Sequence, residues 1–336
     1  MKILVTGGTG YIGSHTCVQL LEKGWQPVII DSLVNSKISV LDRIQQITGT
    51  RPAFIEGDVR DADLLQKVLR EHAIEAVIHF AGLKAVGESV SMPLKYYDNN
   101  VHGSMVLMEA MKQCNVKTLV FSSSATVYGD SFEPPWNEHV PTSPTNPYGQ
   151  SKMMVDQIMA DVSVSDTAWS MTSLRYFNPV GAHPSGLMGE DPQGIPNNLM
   201  PFLAQVAVGR REVLQVFGND YPTPDGTGVR DYIHVTDLAS GHIAALAYAH
   251  GRSGHHVFNL GSGQGVSVLE MHRAFSQACG RDLPFAISPR RPGDVAAYWA
   301  DPQKAQSTLN WQAQKSIDDM CQDTWRWQSQ NPNGYP

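Results

Sequence analysis

Apolar residues in this chain come in short runs separated by stretches of helical spacing, and the opening stretch sets the pattern. Ile3-Leu4-Val5 is a continuous apolar run, as expected of a strand covered on both faces. The chain then turns through Thr6-Gly7-Gly8-Thr9-Gly10-Tyr11-Ile12-Gly13. Ile12, Cys17, Leu20 and Leu21 recur at helical spacing, and a second run, Val28-Ile29-Ile30, ends on Asp31. Further on, Phe54-Ile55 reads as a strand leading to Gly57-Asp58, and Asp61 to His72 as a helix. A buried strand follows over Ala76 to Phe80, ending in Ala81-Gly82. A long helical stretch runs from Pro93 to Cys114, and the strand Thr118-Leu119-Val120-Phe121 leads into Ser122-Ser123-Ser124. Tyr148 to Val162 is helical again, and Ser170 to Tyr176 is a strand. Strands separated by single helices predict an α/β fold built on a doubly wound parallel sheet, whose ligands sit beyond the carboxyl ends of the strands. Asp31, Asp58, Gly82 and Ser124 all fall at such ends and are expected to line one cleft.

From about Asn178 the pattern changes. Residues 178–198 are rich in Pro, Gly and Asn with no period, as in a long binding loop. Asn198 to Gly209 has a helical apolar face (Leu199, Phe202, Leu203, Val206), and Val213 to Phe217 is a short strand followed by a polar loop. Val235 to Tyr248 is a helix, and short strands and helices alternate from there to Trp327. The expected division is 1–177 for the sheet domain and 178–336 for a smaller C-terminal substrate-binding lobe, with about 230–260 packing back on the first.

Composition changes this picture little. The chain is 42% hydrophobic and 17% charged with a net charge of −7, which suits a globular protein and argues against general binding to nucleic acid or anionic membrane. An anionic ligand must then be held locally, by placed arginines and helix ends. The four cysteines are widely spaced with no C-x-x-C, and the twelve histidines show no paired ligand spacing, so neither a disulfide framework nor a metal site is indicated. No run of 18 apolar residues occurs and no leader precedes the first strand, so a soluble, cytoplasmic protein is expected.

Strand, glycine-rich turn, helix and strand ending in an acid is the local layout of a dinucleotide site of Rossmann type. Gly7, Gly10 and Gly13 allow close approach to a pyrophosphate, the helix start offers unpaired N–H groups, and Asp31 suits ribose hydroxyls. An acid there repels a 2′-phosphate, which favours NAD over NADP. The second chemical feature is Tyr148 with Lys152, four apart at a helix start and therefore on one helix face. Tyrosine is a poor base at neutral pH; bringing its pKa from about 10 to near 7 needs about 4 kcal/mol. At an effective dielectric of ~20, one cation ~6 Å away supplies about 3 kcal/mol. Lys152 together with a cationic nicotinamide could produce a tyrosinate able to take a proton from a substrate hydroxyl, before any burial penalty opposes them, with Ser124 sharing that proton.

Three motifs, Thr6-Gly-Gly-x-Gly-Tyr-Ile-Gly13, Ser122-Ser-Ser-Ala-Thr-Val-Tyr-Gly129 and Tyr148-Gly-Gln-Ser-Lys152, resemble the extended short-chain dehydrogenase/reductases. Arg175-Tyr-Phe-Asn-Pro-Val-Gly-Ala-His-Pro-Ser-Gly186, Pro196-Asn-Asn-Leu-Met-Pro201 and Asp225-Gly-Thr-Gly-Val-Arg-Asp-Tyr-Ile-His-Val235 narrow the resemblance to the UDP-glucose 4-epimerase family, over essentially the whole chain. The resemblance implies an NAD-dependent isomerase that oxidises C4 of a bound UDP-hexose, lets the 4-keto sugar rotate, and returns the hydride to the other face, interconverting UDP-glucose and UDP-galactose. It implies Tyr148 as base, Ser124 as proton partner, and Lys152 as the group that tunes the tyrosine and holds the nicotinamide ribose. Tyr11, Ile12, Asp31, Asn35, Asp58, Val59, Phe80, Ala81, Gly82, Lys84, Asn99 and Phe177 match cofactor positions. Asn178, Asn198, Arg230, Arg291, Asp294 and Tyr298 match UDP-sugar positions, where arginines suit a diphosphate. A homodimer paired through the 93–114 and 148–162 helices is also implied, and Tyr298 matches the position that limits the sugar pocket.

Two other readings compete. A nucleotide-sugar 4,6-dehydratase needs an acid and a base beside Ser124, where the resembling enzymes carry Asp-Glu and this chain carries Ala125-Thr126. A non-catalytic NAD-sensing protein could dispense with the Tyr/Lys pair, which this chain keeps.

Overall fold

A computed structural model describes residues 1–336 apart from Ser131, Ile195, Asn197, Pro292 and Gly293; Asn197, within the Pro196–Pro201 motif, thus lies outside the described residues. The first part of the chain forms β1 (Lys2–Thr6), α1 (Tyr11–Glu22), β2 (Gln26–Asp31), α2 (Val40–Thr48), β3 (Ala53–Glu56), α3 (Ala62–Glu71) and β4 (Ala76–His79). Then come α4 (Val86–Ser91), α5 (Pro93–Tyr96), a π-helical segment (Tyr97–His102), α6 (Gly103–Gln113), β5 (Thr118–Ser122), α7 (Pro147–Ser165) and β6 (Ser170–Tyr176). The chain continues through β7 (Asn178–Val180), α8 (Leu199–Ala207), β8 (Leu214–Phe217), β9 (Val229–His234), α9 (Val235–Ala249) and β10 (Gly254–Leu260). It ends with β11 (Gly265–Ser267), α10 (Val268–Cys279), β12 (Phe285–Ser288), β13 (Ala297–Tyr298), α11 (Gln303–Leu309) and α12 (Ile317–Gln330).

Seven strands form one sheet in the order β10-β6-β5-β4-β1-β2-β3, every pair parallel. The period of two along each strand divides its side chains between two cores. Ile3 and Val5, Ile29, Ala76 and Ile78, and Val120 face the layer of α1, α2 and α9. Leu4, Val28 and Ile30, Val77, and Leu119 and Phe121 face α3, α6 and α7. Burial on both faces is why these strands read as unbroken apolar runs rather than as alternating ones. The order of the strands reverses at β1, which pairs with β2 on one side and β4 on the other, and a crevice opens there at the carboxyl ends.

Beyond Asn178 the chain serves both parts. Helix α9 packs on α1, where Gln19 Nε2 donates to the Thr236 carbonyl at 2.8 Å, and β10 extends the main sheet beside β6. The remaining elements build a second core from α8, α10 and α12, with Leu203, Met271, Phe275 and Met320 buried in it. Its sheet is centred on β9, which pairs with β7 and β13 in parallel and β11 antiparallel, while β8 and β12 pair separately. The stretch expected as one helix from Pro93 to Cys114 is instead two helices joined by the π-helical turn. Such a turn holds an extra residue in the helical ladder and re-aims a side chain, here Asn100, into the interior. Among the described residues no helix is long and apolar enough to cross a membrane.

Candidate active site

The crevice beyond β1 and β4 is a cleft of about 570 Å³, a size ordinary for a cofactor or small-molecule site. Gly7 turns the chain into it with φ +69°, and a Cβ there would lie 2.7 Å from the Ala81 nitrogen, so only glycine lets the turn rest against the end of β4. A Cβ at Gly13 would overlap the Gly7 carbonyl, which explains the third glycine of the turn. Helix α1 starts at Gly10 with no side-chain cap and no acid in its first turn, leaving its N-terminal N–H groups for a ligand. Asp31 is oriented by hydrogen bonds from the Thr9 and Leu33 amides (3.1 and 2.9 Å) and from the Ser36 hydroxyl (3.2 Å). These observations fit a dinucleotide.

The structure brings Gly7, Gly10, Tyr11, Ile12, Gly13, Asp31, Asn35, Asp58, Val59, Phe80, Ala81, Gly82, Lys84, Asn99, Tyr148, Lys152 and Asn198 onto the wall of this one cleft. The Tyr11 hydroxyl donates to the Gly181 carbonyl (2.6 Å) and so ties the glycine-rich turn to the segment after β7. Hydrogen bonds from Arg60 hold the Asp58 carboxyl below the usual carboxylate range. Lys84 reaches across to Glu190 (3.3 Å), which also accepts from Asn198 Nδ2 (3.4 Å).

Helix α7 carries the candidate reactive pair. Asn146 caps it through the Gly149 amide (2.9 Å), Pro147 opens it, and Tyr148 and Lys152 follow on its buried face. Lys152 Nζ donates to the Ser122 carbonyl (2.7 Å), sits 4.7 Å from the Phe121 ring centre and 5.9 Å from that of Tyr148. Ser124 lies near enough to Tyr148 to act on its ionisation, and its own hydroxyl accepts from the Thr126 hydroxyl at 2.9 Å. Burial raises the Tyr148 pKa above 10, and the Ser124 hydroxyl opposes it. The expectation that the lysine would bring the tyrosine toward 7 thus meets a burial cost that exceeds it in the protein alone. Burial also lowers Lys152 to about 8, with the Asp156 carboxylate working the other way.

The other predicted residues are not on the cleft wall: Ser124, expected there with Asp31, Asp58 and Gly82, sits behind the end of β5, and Phe177, Asn178, Arg230, Arg291, Asp294 and Tyr298 belong to other elements. Three adjacent strands bring Asn178 (β7), Arg230 (β9) and Tyr298 (β13) together. The Tyr298 hydroxyl donates to Asn178 Oδ1 (3.0 Å), and the Arg230 guanidinium lies 4.7 Å from its ring centre. Trp136 stacks on the ring at 5.2 Å and 7°, and buried Phe177 adjoins both. Arg291 pairs with Asp294 (2.9 Å) and covers the Phe217 ring at 4.9 Å.

Several contributors carried no local signal. Asn100, in the π-helical turn, accepts from the Leu83 amide (2.8 Å) and donates to the Leu83 carbonyl (2.9 Å) and Ser151 (3.1 Å), joining the end of β4 to α7. His79 bridges the Thr6 (2.7 Å) and Ser104 (2.9 Å) hydroxyls. Burial and the Lys152 charge lower it to about 3, so it is a neutral structural group. Tyr232, Trp136 and Phe217 around the second site are likewise visible only in three dimensions. Among the described residues no cluster of His, Cys, Asp or Glu could hold a metal.

Comparison with known proteins adds names to this geometry. The family model described as GDP-mannose 4,6 dehydratase matches residues 4–324. A UDP-glucose 4-epimerase of Yersinia pestis is 64% identical over 337 residues, covering 100% of both chains. The crystal structure of UDP-glucose 4-epimerase from Bifidobacterium longum in complex with NAD+ and UDP superimposes with a TM-score of 0.96 at 54% identity, covering 100% of each chain. That of the Stenotrophomonas maltophila enzyme with bound NAD and formylated UDP-arabinopyranose gives 0.96 at 52%, covering 98% of each.

Proposed function

The chain belongs to the UDP-glucose 4-epimerase family, and from that premise we propose which of its residues carry the reaction. It is an NAD-dependent isomerase that interconverts UDP-glucose and UDP-galactose. A nicotinamide held in this cleft would supply reversible hydride exchange with C4 of the sugar. Tyr148 takes the proton of the 4-hydroxyl and returns it, because it is the hydroxyl that α7 presents to the cleft beside Lys152. Ser124 orients that oxygen and shares its proton, itself held by Thr126. Lys152 supplies the nearby positive charge. With its pKa at about 8 it is mostly protonated at pH 7 and loses its charge as pH rises past 8. The glycine-rich turn, Asp31, Asp58, the Phe80–Lys84 segment and Asn99 hold the cofactor, and Asn178, Asn198, Arg230, Arg291, Asp294 and Tyr298 the UDP-sugar. The support for this assignment is that Tyr148 and Lys152 line the cleft that the glycine-rich turn opens, with Lys152 anchored on the Ser122 carbonyl at 2.7 Å, two residues before Ser124.

The family model takes its name from a dehydratase, but that elimination needs an acid and a base next to Ser124. Here Ala125 offers a methyl group, and the Thr126 hydroxyl is spent on Ser124.

If the hydride leaves and returns within one complex, NAD must stay bound through turnover. Protein purified without added cofactor is expected to release nicotinamide on denaturation, and to convert UDP-galactose with no NAD supplied. Folded protein free of nicotinamide that needs NAD in stoichiometric amount would overturn the closed cycle.

We infer a homodimer joined through the 93–114 and 148–162 helices, where Leu94, Met105 and Met154 stand exposed. Sedimentation of the Leu94→Glu, Met154→Glu double variant is expected to give half the mass of the wild type; an unchanged mass would place the interface elsewhere. Four free thiols suit a reducing, cytoplasmic location.

A further inference from the structure

The buried face of α7 does not stop at Lys152. Asp156 follows one turn later, also 4% exposed, so Tyr148, Lys152 and Asp156 form a single row along the helix. A buried carboxylate is costly unless it is matched. Asp156 Oδ2 accepts from Arg175 Nε at 3.0 Å and from the Ser123 hydroxyl at 3.2 Å, while Oδ1 is buried without a hydrogen-bond partner. Arg175, on β6, is 8% exposed and donates to the Tyr128 hydroxyl at 3.3 Å. An ion pair this deep would be replaceable by apolar packing if stability were all it served.

Its placement points to more. Ser123 lies between two residues that adjoin the reactive pair: the Ser122 carbonyl receives Lys152 Nζ at 2.7 Å, and Ser124 neighbours Tyr148. A grip on Ser123 therefore sets both neighbours at once. The same carboxylate is the nearest counter-charge in the row for an ammonium that is otherwise packed against the Phe121 and Tyr148 rings. The other titratable groups around this row are His79 on β4, Tyr96 on α5, which burial raises and so keeps neutral, Tyr128 after β5, Arg175 and Tyr176 on β6, and His255 on β10. Burial drives His79 and His255 to about 3 and about 4, so neither is charged at neutral pH. Burial raises Tyr128 to about 12 and Tyr176 further, so both stay neutral.

We propose that Asp156 is a positioning residue for the reaction. By its hydrogen bond to Ser123 and its charge one helical turn from Lys152, it holds the Ser122–Ser124 segment and the lysine ammonium in register with Tyr148. This rests on the roles given above to Tyr148 and Lys152.

The test uses the NAD-loaded enzyme. Asp156→Asn keeps the shape and removes the charge. It is expected to lower kcat about 10- to 100-fold with KM for UDP-galactose within about twofold, as a displaced catalytic group does. The alkaline limb of the kcat profile should move about one pH unit lower, because loss of a neighbouring anion eases deprotonation of the lysine. The 15Nζ resonance of Lys152, assigned through Lys152→Met, should titrate about one unit lower as well, which reports the charge independently of turnover. Asp156→Glu restores the charge and is expected to recover the position of the limb. Ser123→Ala removes the grip alone and should cost kcat a few-fold with the limb unmoved; it also decides the matter if Asp156→Asn does not fold. A folded Asp156→Asn with wild-type kcat and an unmoved Lys152 titration would overturn the proposal, as would a Ser123→Ala enzyme with full kcat where Asp156→Asn does not fold. If Tyr148→Phe remained active, the underlying catalytic assignment would fail instead, which is a different result.

Discussion

Tyr148→Phe is expected to leave a folded protein that binds NAD and loses most of its turnover. The ring is held by Leu83 and Tyr96 in a small buried cluster, and phenylalanine fills the same space. The Ser124 hydroxyl loses one neighbour but keeps the Thr126 donor at 2.9 Å, so the stability cost should be only about 1 kcal/mol. What disappears is the single oxygen able to exchange a proton with the sugar hydroxyl. A general acid–base group contributes typically about 10² to 10⁴-fold, and kcat should fall by that amount. Burial makes this reading stricter. It raises the tyrosine pKa in the protein alone, so the ionised form depends on positive charge brought close to it. Turnover of the variant within a factor of two of wild type, with UDP-galactose as substrate, would sink Tyr148 as the base.

The second large effect is on substrate choice. Tyr298 is expected to exclude the N-acetylated UDP-sugars, because its ring has nowhere to go. Trp136 stacks flat against one side, Arg230 covers it at 4.7 Å, Phe177 closes an edge, and the hydroxyl is tied to Asn178. An acetamido group at C2 adds several heavy atoms, and forcing them into a packed site costs about 1–3 kcal/mol, or roughly 5- to 150-fold in rate. Wild type should therefore work poorly on UDP-N-acetylglucosamine. Tyr298→Cys removes the wall and should raise the ratio of N-acetylglucosamine to galactose turnover at least about tenfold, while UDP-galactose activity changes far less. The freed Asn178 carbonyl and Arg230 guanidinium can turn to water at this half-buried position. An unchanged ratio would show that the pocket is limited by another residue.

How much of this could be read before folding depends on the range of each interaction. Strands β1 to β6 of the main sheet, the glycine-rich turn, Asp31 at the end of β2 and the Tyr148/Lys152 face of α7 were legible, while β10, which completes the sheet, was not. Each legible feature is set by neighbours a few residues away, and an unbroken apolar run or a period of 3.6 records it directly. The long helix expected from Pro93 to Cys114 was misread in one respect, since apolar spacing does not reveal the π-helical turn that points Asn100 at Leu83. The candidate sugar wall was a set of single residues in the sequence, and Asn178, Arg230 and Tyr298 came side by side only when β7, β9 and β13 aligned them.

By itself, then, the order of residues determined most elements of the sheet domain, the glycine-rich turn and the placing of Tyr148 and Lys152 on one helix face, because steric and periodic rules act along the chain. Tertiary structure alone decided the electrostatics. Arg175 and Asp156 are nineteen positions apart and meet only because α7 packs against β6. His79 is neutral, Lys152 sits near 8 and Tyr148 is pushed upward because burial belongs to the surrounding packing, which no local pattern of side chains contains.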